Sequence, residues 1–340
     1  MRRLLKWTFR IAATFVALVC LVIALFSCLS HRRETKSAVE AAPVTGHFVA
    51  ANDTEIYFQE AGSASGRAIV LIHGTGAWSE IWRETTTALA DSGFHAIAID
   101  VPPFGYSGKP AGVSEYSPHK QAGRIVALLD ALHIERATIV GHSVGARPAV
   151  ELCLDAPSRV DALVLVDPAL GFASDSASDP HFEQNHPSWL VRAFFGVKPL
   201  RNSVVATFGT NPLFIGTIFR SFVSRKESVT PERVEMLQRP LVVEGATRSY
   251  GDWLEYLVAA KDVSLVSDLA NLRKLSAPTL VLWGSADTVT PLWQGQQLVG
   301  IIPDSKLMVM DNVGHIPYIE NPEEFNRVLL GFLTRTPAHP

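Results

Sequence analysis

The sequence predicts an α/β fold: a mostly parallel sheet with helices on both faces, an inserted helical cap and an N-terminal transmembrane helix. Three observations lead to this prediction. From Gly46 onward, short apolar runs alternate with segments of helical periodicity, which is typical of a parallel sheet covered on both faces. The alternation stops between Pro168 and Leu269, where only helical patterns occur. An almost unbroken apolar run, residues 11–29, lies near the N-terminus.

The N-terminal segment, residues 1–30, is predicted to be a membrane anchor or a signal sequence. Residues 11–29 are long enough to cross a hydrocarbon core about 30 Å thick at about 1.5 Å per residue. This length favours an uncleaved, single-pass anchor over a signal peptide. Cys28 follows a sequence that loosely resembles a lipoprotein processing site, which leaves cleavage or lipidation open. A cytoplasmic N-terminus, with the remaining chain on the non-cytoplasmic side, is favoured by a small difference in basic residues. Four precede the apolar run (Arg2, Arg3, Lys6 and Arg10) and three follow it (Arg32, Arg33 and Lys36).

The composition argues against one class of partner. The chain has 340 residues and a formal net charge of −3, so it lacks the basic excess of a nucleic-acid-binding protein. We therefore expect no nucleic-acid partner. With 47% hydrophobic residues, the chain can readily bury a sizeable core.

The first part of the core is predicted over residues 46–168, after a polar tether at 31–45. It begins with a hairpin, residues 48–51 and 55–59, around Asn52-Asp53. The run Ala68–Ile72 is entirely apolar, as expected of a central strand that is buried on both faces. Further strands are predicted at 96–100, 138–140 and 160–166, and helices at 78–89, at 119–132 and from 144 onward.

The cap is predicted over residues 169–269, from helical patterns rich in phenylalanine, tryptophan and leucine. These patterns cover residues 189–195, 204–208, 214–222, 231–241 and 250–260. The core then resumes over residues 270–335. Its remaining strands are predicted at 279–283 and 307–310, and its remaining helices at 292–299 and 322–333.

The candidate nucleophile is Ser143, which lies in Gly141-His142-Ser143-Val144-Gly145 between a β-branched run and a helical segment. G-x-S-x-G in this context is typical of a nucleophile elbow, a sharp turn that exposes a serine at the end of a strand. The turn strains the backbone and excludes bulky side chains two residues before and two residues after the serine. Gly141 and Gly145 meet this requirement.

A serine hydroxyl is a poor nucleophile at neutral pH, so it needs a base, an acid that orients the base, and donors for an oxyanion. Asp287 follows the strand predicted at 279–283, and His315 follows the strand predicted at 307–310. Loops after parallel strands open at the same edge of a sheet, so both side chains are expected near Ser143. Asp167 also follows a predicted strand and is the alternative to Asp287, which we favour.

Five motifs, in this order, resemble the α/β-hydrolase superfamily, in its cap-bearing branch, over residues 46–333. They are His73-Gly-Thr-Gly76, Asp100-Val-Pro-Pro-Phe-Gly-Tyr-Ser107, Gly141-His-Ser-Val-Gly145, Trp283-Gly-Ser-Ala-Asp287 and Gly314-His315. The resemblance implies that Ser143 is the nucleophile, that His315 acts as general base and then as acid, and that Asp287 holds the imidazole. It also implies an oxyanion hole formed by the backbone N–H groups of Thr75 and Val144.

Other polar residues near these motifs have a structural explanation. In the family, the histidine at the position of His73 shapes the glycine loop, and His142 is expected to pack or to hydrogen-bond rather than to titrate. Arg147 is larger and more charged than the family usually has at this position. Arg147 and Arg192 are candidates for pairing with a substrate carboxylate, although solvation or an internal ion pair is the commoner role of an arginine.

Together, these features predict a membrane-anchored serine hydrolase that cleaves a carboxylic ester or a related acyl bond through an acyl-enzyme. The apolar cap indicates a small-molecule substrate with a hydrophobic acyl or alcohol part. Metal-ligand clusters, phosphate-binding loops and dinucleotide motifs are absent from the sequence, so no cofactor and no metal are expected. Capped relatives also cleave carbon–carbon bonds of vinylogous diketones or transfer acyl groups. A non-catalytic, membrane-anchored interaction module is a further alternative.

Overall fold

One sheet organises the chain in the computed structural model, which describes residues 2–170, 189–259 and 265–336. The strands are β1 (His47–Ala51), β2 (Thr54–Ala61), β3 (Ala68–Ile72), β4 (His95–Ile99), β5 (Ala137–His142), β6 (Val160–Val166), β7 (Thr279–Gly284) and β8 (Ser305–Met310). They lie in the order β1-β2-β4-β3-β5-β6-β7-β8. The hairpin β1–β2 and the pair β2–β4 are antiparallel, and the other pairs are parallel. The predicted fold class is confirmed.

Both faces of the sheet are buried under apolar layers. All five residues of β3 are buried, and their side chains alternate between two core clusters because successive residues of a strand point to opposite faces. Val70 and Ile72 belong to one cluster, and Ile69 and Leu71 belong to the other. A strand covered in this way has no solvent-facing position, which explains why the run contains no polar residue.

The α-helices among the described residues flank the sheet, form the cap or extend the N-terminus. In chain order they are α1 (Arg2–Arg33), α2 (Ala38–Ala41), α3 (Arg83–Asp91), α4 (Pro118–Ala131), α5 (Ala146–Asp155), α6 (Trp189–Gly196), α7 (Lys198–Val204), α8 (Pro212–Phe222), α9 (Pro231–Gln238), α10 (Ala246–Ala259), α11 (Leu269–Leu272), α12 (Leu292–Val299), α13 (Pro317–Glu320) and α14 (Pro322–Arg335). Helices α4, α5 and α12 contribute to one core cluster, whereas α3 and α14 contribute to the cluster on the opposite face.

The cap helices α6–α11 lie between β6 and β7, as predicted from the sequence. Residues 171–188 and 260–264 of the predicted cap lie outside the described residues. The structure differs from the α-helix predicted at 204–208. Helix α7 ends at Val204, and a π-helical turn, Val205–Gly209, follows it directly. The cap packs on the loop after β4, where the ring of Phe104 meets Tyr250 at 5.3 Å and Trp253 at 5.0 Å.

The N-terminal helix contains one segment, Lys6–Arg33, that is long and apolar enough to cross a membrane, and most of its large apolar side chains are exposed. The end of this helix and the residues that follow it, which belong to the predicted tether, contact the cap. The Arg33 Nε donates to the Leu241 carbonyl at 2.9 Å, and Lys36 forms a β-bridge with Val243. The Glu34 carboxylate accepts hydrogen bonds from the backbone N–H and the hydroxyl of Thr247. The end of α1 is therefore fastened to the cap.

Candidate active site

Ser143 lies in a strained turn between β5 and α5. Its φ is +53°, in the left-handed region that side chains rarely adopt. The turn brings backbone segments so close that neighbouring positions must be glycine. A Cβ on Gly141 would lie 2.7 Å from the Ala146 Cα, and a Cβ on Gly145 would lie 2.4 Å from the His73 carbonyl oxygen. The structure therefore explains both glycines that the elbow motif requires.

A chain of hydrogen bonds joins the three residues predicted as a triad. The His315 Nε2 lies 2.9 Å from the Ser143 Oγ, and the His315 Nδ1 lies 2.7 Å from the Asp287 Oδ2. Asp287 follows β7 and His315 follows β8, so the parallel strands bring both side chains to the edge where Ser143 projects. This is the geometry in which a base takes a proton from a serine while a carboxylate orients the base.

The Asp287 carboxylate is held in its ionised form. Burial would raise its pKa, but hydrogen bonds and the neighbouring imidazole lower the pKa below its usual value. Its Oδ1 accepts the N–H of Val289 at 2.7 Å and that of Thr290 at 3.1 Å. Its Oδ2 accepts the Thr290 hydroxyl at 2.6 Å as well as the His315 ring. Both oxygens are thereby fixed, and so is the imidazole that they orient.

Asp167, the alternative acid, lies at the same edge but in a different state. It is completely buried, and its Oδ1 accepts the Gly284 N–H at 2.9 Å. Burial, reinforced by the negative charge of Asp287, raises the pKa of Asp167 well above its usual value. The His315 Nδ1 is bonded to the Asp287 carboxylate, whose pKa is lowered, and this geometry favours Asp287 as the orienting group.

Among the residues that the structure describes, two groups of side chains have the spacing of metal ligands. In the first, donor atoms of Asp167, Asp287 and His315 lie within 4.8 Å of one another, but the His315 Nδ1 is already bonded to Asp287. In the second, the His119 Nδ1 lies 2.8 Å from the Asp155 Oδ2, with Glu151 nearby. Hydrogen bonds account for the His315–Asp287 contact of the first group and for the His119–Asp155 contact of the second, so neither set indicates a resident ion. The expectation that the protein needs no cofactor remains a prediction from the sequence.

The predicted oxyanion donors lie beside the serine. Thr75 and Val144 line the same cavity as Ser143. The loop that carries Thr75 passes very close to the elbow, because a Cβ on Gly74 would lie 3.0 Å from the Ser143 Cβ. The His73 ring fixes this loop: its Nδ1 donates to the Gly74 carbonyl at 2.7 Å, and its Nε2 accepts the Val101 N–H at 3.0 Å.

A second set of hydrogen bonds, missed by the sequence analysis, holds the backbone of His315. The Tyr318 hydroxyl donates to the His142 Nδ1 at 3.0 Å, and the His142 Nε2 donates to the His315 carbonyl at 2.8 Å. Burial, together with the charge of His315, lowers the pKa of His142 to about 3, so its ring is neutral and fits this pattern. His142 thus has the hydrogen-bonding role expected from its position.

Glu320 is the other residue that the sequence analysis missed. Its carboxylate accepts the N–H groups of Gly314 at 3.0 Å and Ile316 at 3.3 Å, on either side of His315. It also accepts the N–H groups of Ser224 at 2.8 Å and Arg225 at 2.9 Å, which belong to the cap. One buried carboxylate therefore ties the histidine loop to the cap. No motif marks this residue in the sequence.

A cavity of about 510 Å³ opens onto the Ser143 hydroxyl. Its floor is formed by the elbow, the His315 loop and the loop at residues 74–77. Its walls include apolar cap side chains: Ile215, Ile218, Phe219, Phe222, Leu237, Leu241 and Leu257. The cap aromatics have different positions, since Phe219 is 3% exposed and lines the cavity whereas Trp189 is 75% exposed and does not. Trp253 packs against Phe104.

Comparison with known proteins identifies relatives of this arrangement. Residues 67–322 match the family model described as alpha/beta hydrolase fold. The chain is 29% identical over 289 residues to a 2-hydroxy-6-oxo-6-phenylhexa-2,4-dienoate hydrolase from Comamonas testosteroni. The match covers 83% of this chain and 92% of the relative.

Solved structures show the same fold. A meta-cleavage product hydrolase from Pseudomonas fluorescens is 25% identical, with a TM-score of 0.68, over 86% of this chain and 99% of that one. A membrane phospholipase A is 24% identical, with a TM-score of 0.67, and the match covers 98% of both chains. The second likeness is one of fold, and it includes nearly the whole of both chains.

Proposed function

The chain belongs to the α/β-hydrolase family, and from this premise we propose that it is a membrane-anchored serine hydrolase that cleaves a carboxylic ester or related acyl bond. The observation that carries the proposal is the hydrogen-bonded series Ser143–His315–Asp287 at the floor of an apolar cavity. A non-catalytic interaction module has no need of this series. Labelling by a fluorophosphonate distinguishes the two, because only an activated serine reacts rapidly with that reagent.

In the proposed reaction, the Ser143 Oγ attacks the acyl carbon while the His315 Nε2 takes the hydroxyl proton. The N–H groups of Thr75 and Val144 stabilise the oxyanion, and Asp287 stabilises the imidazolium that forms. The protonated His315 then donates its proton to the leaving oxygen, which leaves an acyl group on Ser143. A water molecule, activated by the same histidine, attacks this acyl group and releases the acid.

The cavity supports a substrate with a hydrophobic acyl or alcohol part. Its walls are predominantly apolar, and a cavity of this size is typical of small-molecule sites. A series of p-nitrophenyl esters from acetate to dodecanoate measures this directly. We expect kcat/KM to rise with chain length up to the size of the cavity. A preference for acetate over all longer esters would contradict a hydrophobic acyl site.

Carbon–carbon bond hydrolysis is the second candidate, and the observation that favours it is the named activity of the relatives. The relative at 29% identity is named as a hydrolase of a 2-hydroxy-6-oxo dienoate, and the keto tautomer of such a dienol is a vinylogous diketone. The same series of residues serves either reaction, so a parallel assay with a vinylogous diketone decides between them. The bond type with the higher kcat/KM identifies the activity, and Ser143→Ala must abolish whichever is found.

Phe219 offers a test of the proposed acyl site. It lines the cavity, so Phe219→Ala should change the ratio of kcat/KM between long-chain and short-chain esters by the equivalent of about 1–3 kcal/mol, the scale of methylene discrimination in an apolar pocket. Trp189→Ala removes an exposed cap aromatic and is the matched control. If both variants scale every ester equally, Phe219 does not contact the acyl chain.

The proposed anchor is tested by fractionation. If α1 crosses the bilayer, the intact chain should stay in the membrane pellet after an alkaline carbonate wash, and deletion of residues 1–26 should give a soluble, active enzyme. This boundary keeps Arg33, Glu34 and Lys36, whose contacts hold the cap. Deletion of residues 1–40 removes these contacts and should lower the Tm. A mature N-terminus at Cys28 or beyond would show that the segment is cleaved.

The orientation of the anchor is a separate part of the proposal. Basic residues precede the apolar run, which favours a cytoplasmic N-terminus and a catalytic domain on the non-cytoplasmic side. Protease added outside intact cells or right-side-out vesicles should then digest the hydrolase domain. Protection of the domain until the membrane is permeabilised would reverse the orientation.

A further inference from the structure

Two cationic side chains, Lys109 and Arg147, line the cavity above Ser143. They differ in whether the protein provides hydrogen-bond acceptors for their N–H groups. The Lys109 Nζ donates to the carbonyl oxygens of Gly105 at 3.0 Å and Ser107 at 3.1 Å. The Arg147 Nε, in contrast, is buried and has no hydrogen-bond partner among the described residues. Lys109 thus has a structural role, whereas Arg147 lines the cavity and its Nε is left without a partner among the described residues.

The position of Arg147 does not stabilise its own helix. It is the second residue of α5 (Ala146–Asp155), where the positive end of the helix dipole disfavours a cation. Burial lowers its pKa from the usual value, although Tyr256 and Glu151 lie near enough to offset part of this effect. A guanidinium remains charged in proteins, so Arg147 is a partly desolvated cation in an unfavourable location. An arrangement of this kind is relieved when an anion enters the cavity.

The cavity defines where such an anion would lie. Arg147 and Ser143 line the same cavity, and Arg147 follows Ser143 by four residues, through the turn Ser143–Gly145 and into α5. A group bound to the guanidinium would therefore share the cavity with an acyl group held by Ser143. Around it, Val144, Tyr250 and Leu257 make the cavity wall apolar.

We propose that Arg147 is an anion subsite, and that the substrate carries a carboxylate or phosphate group a few bonds from the scissile carbonyl on an otherwise apolar body. The guanidinium binds the anionic oxygens through paired N–H donors. This inference rests on the proposed function, since it assigns the substrate class of the Ser143 site. It adds a requirement that an apolar cavity alone does not impose.

The test compares matched esters in the full-length protein. p-Nitrophenyl hydrogen glutarate and p-nitrophenyl pentanoate have acyl chains of equal length and differ by a terminal carboxylate. We expect the wild-type protein to prefer the glutarate ester, and Arg147→Gln to lower the glutarate/pentanoate ratio of kcat/KM by about 10- to 150-fold, the range for a lost charge-assisted hydrogen bond. Arg147→Lys should retain part of the preference, because it keeps the positive charge but loses the planar pair of N–H donors.

A control variant and a second pair of substrates make the outcome specific. Arg220→Gln removes an equal charge from an exposed position of α8 and should leave the ratio unchanged. A short-chain diacylglycerol phosphate, measured against the matching diacylglycerol, separates the two anion chemistries. A loss confined to the glutarate pair assigns a carboxylate substrate, and a loss confined to the phosphate pair assigns a phosphate ester. An equal ratio in the wild-type protein, Arg147→Gln and Arg220→Gln for both pairs would overturn the subsite.

Failure of the subsite is distinguishable from failure of the proposed function. Covalent labelling of Ser143 by a small fluorophosphonate gives the amount of active enzyme in each variant, so a folding defect cannot pass for lost specificity. Competitive inhibition of the wild-type protein by glutarate should also be stronger than inhibition by pentanoate, without any substitution. If the wild-type protein hydrolyses neutral esters but shows neither preference, the subsite is wrong and the hydrolase stands. If no ester of either kind is cleaved, the ester hydrolase proposal itself is wrong.

Discussion

Replacing Ser143 by alanine is expected to abolish covalent labelling by fluorophosphonates and to lower turnover by about three to six orders of magnitude, the range for loss of a triad nucleophile. The physical reason is that the Ser143 Oγ is the oxygen within hydrogen-bond distance of the His315 Nε2, at 2.9 Å. Without it, the histidine has no hydroxyl to deprotonate. The readouts are gel fluorescence of the labelled protein and release of p-nitrophenolate.

The matched control for this prediction is Ser221→Ala, which removes a hydroxyl from an exposed position of α8. That variant should label and turn over like the wild-type protein. Undiminished labelling of Ser143→Ala would mean that another side chain is the nucleophile. In that case the roles proposed for His315 and Asp287 would also have to be reassigned.

The exchange of Asp287 for asparagine is expected to cost about 10⁴ in turnover, the size of the same change in another serine hydrolase. An amide would donate to, rather than accept from, the His315 Nδ1, and it would hold the ring in the wrong tautomer. The Oδ2 of Asp287 is the carboxylate oxygen that lies 2.7 Å from that nitrogen. Kinetics with a neutral p-nitrophenyl ester measure the effect.

Asp167→Asn is the internal comparison. Burial and the charge of Asp287 raise the pKa of the Asp167 carboxyl, which accepts the Gly284 N–H rather than the His315 ring, so Asp167→Asn should cost far less than Asp287→Asn. The ranking of the two variants decides the assignment. If Asp167→Asn were the more damaging change, the orienting role would pass to Asp167, and the hydrogen bond that Asp287 accepts from His315 would be secondary.

The sheet could be predicted from the sequence because its signals are local. The run Ala68–Ile72 has no polar residue, and the structure covers both of its faces. The strand predicted at 160–166 matches β6, and β5 extends the predicted strand at 138–140 to His142, directly before the elbow. The proposed site followed from the same logic, since Asp287 and His315 each come after a predicted parallel strand.

What could not be predicted depends on contacts between distant parts of the chain. Trp189 and Phe219 have the same apolar character in the sequence, yet one is exposed and the other lines the cavity. Tyr318 and Glu320 carry no motif, and their roles arise only where the histidine loop meets His142 and the cap. The attachment of Glu34 to Thr247 joins residues that are 213 positions apart. The spacing of apolar residues along the sequence does not indicate which distant residues come into contact.

The central claim, that an acyl-enzyme forms on Ser143, is tested most directly by trapping it. The protein is mixed with a p-nitrophenyl ester, quenched in acid during the first turnovers, digested and analysed by mass spectrometry. The account predicts a burst of p-nitrophenolate and, at the same rate, an acyl mass on the peptide that contains Ser143. An acyl group on any other side chain, or turnover of the ester with no covalent adduct at any quench time, would contradict it.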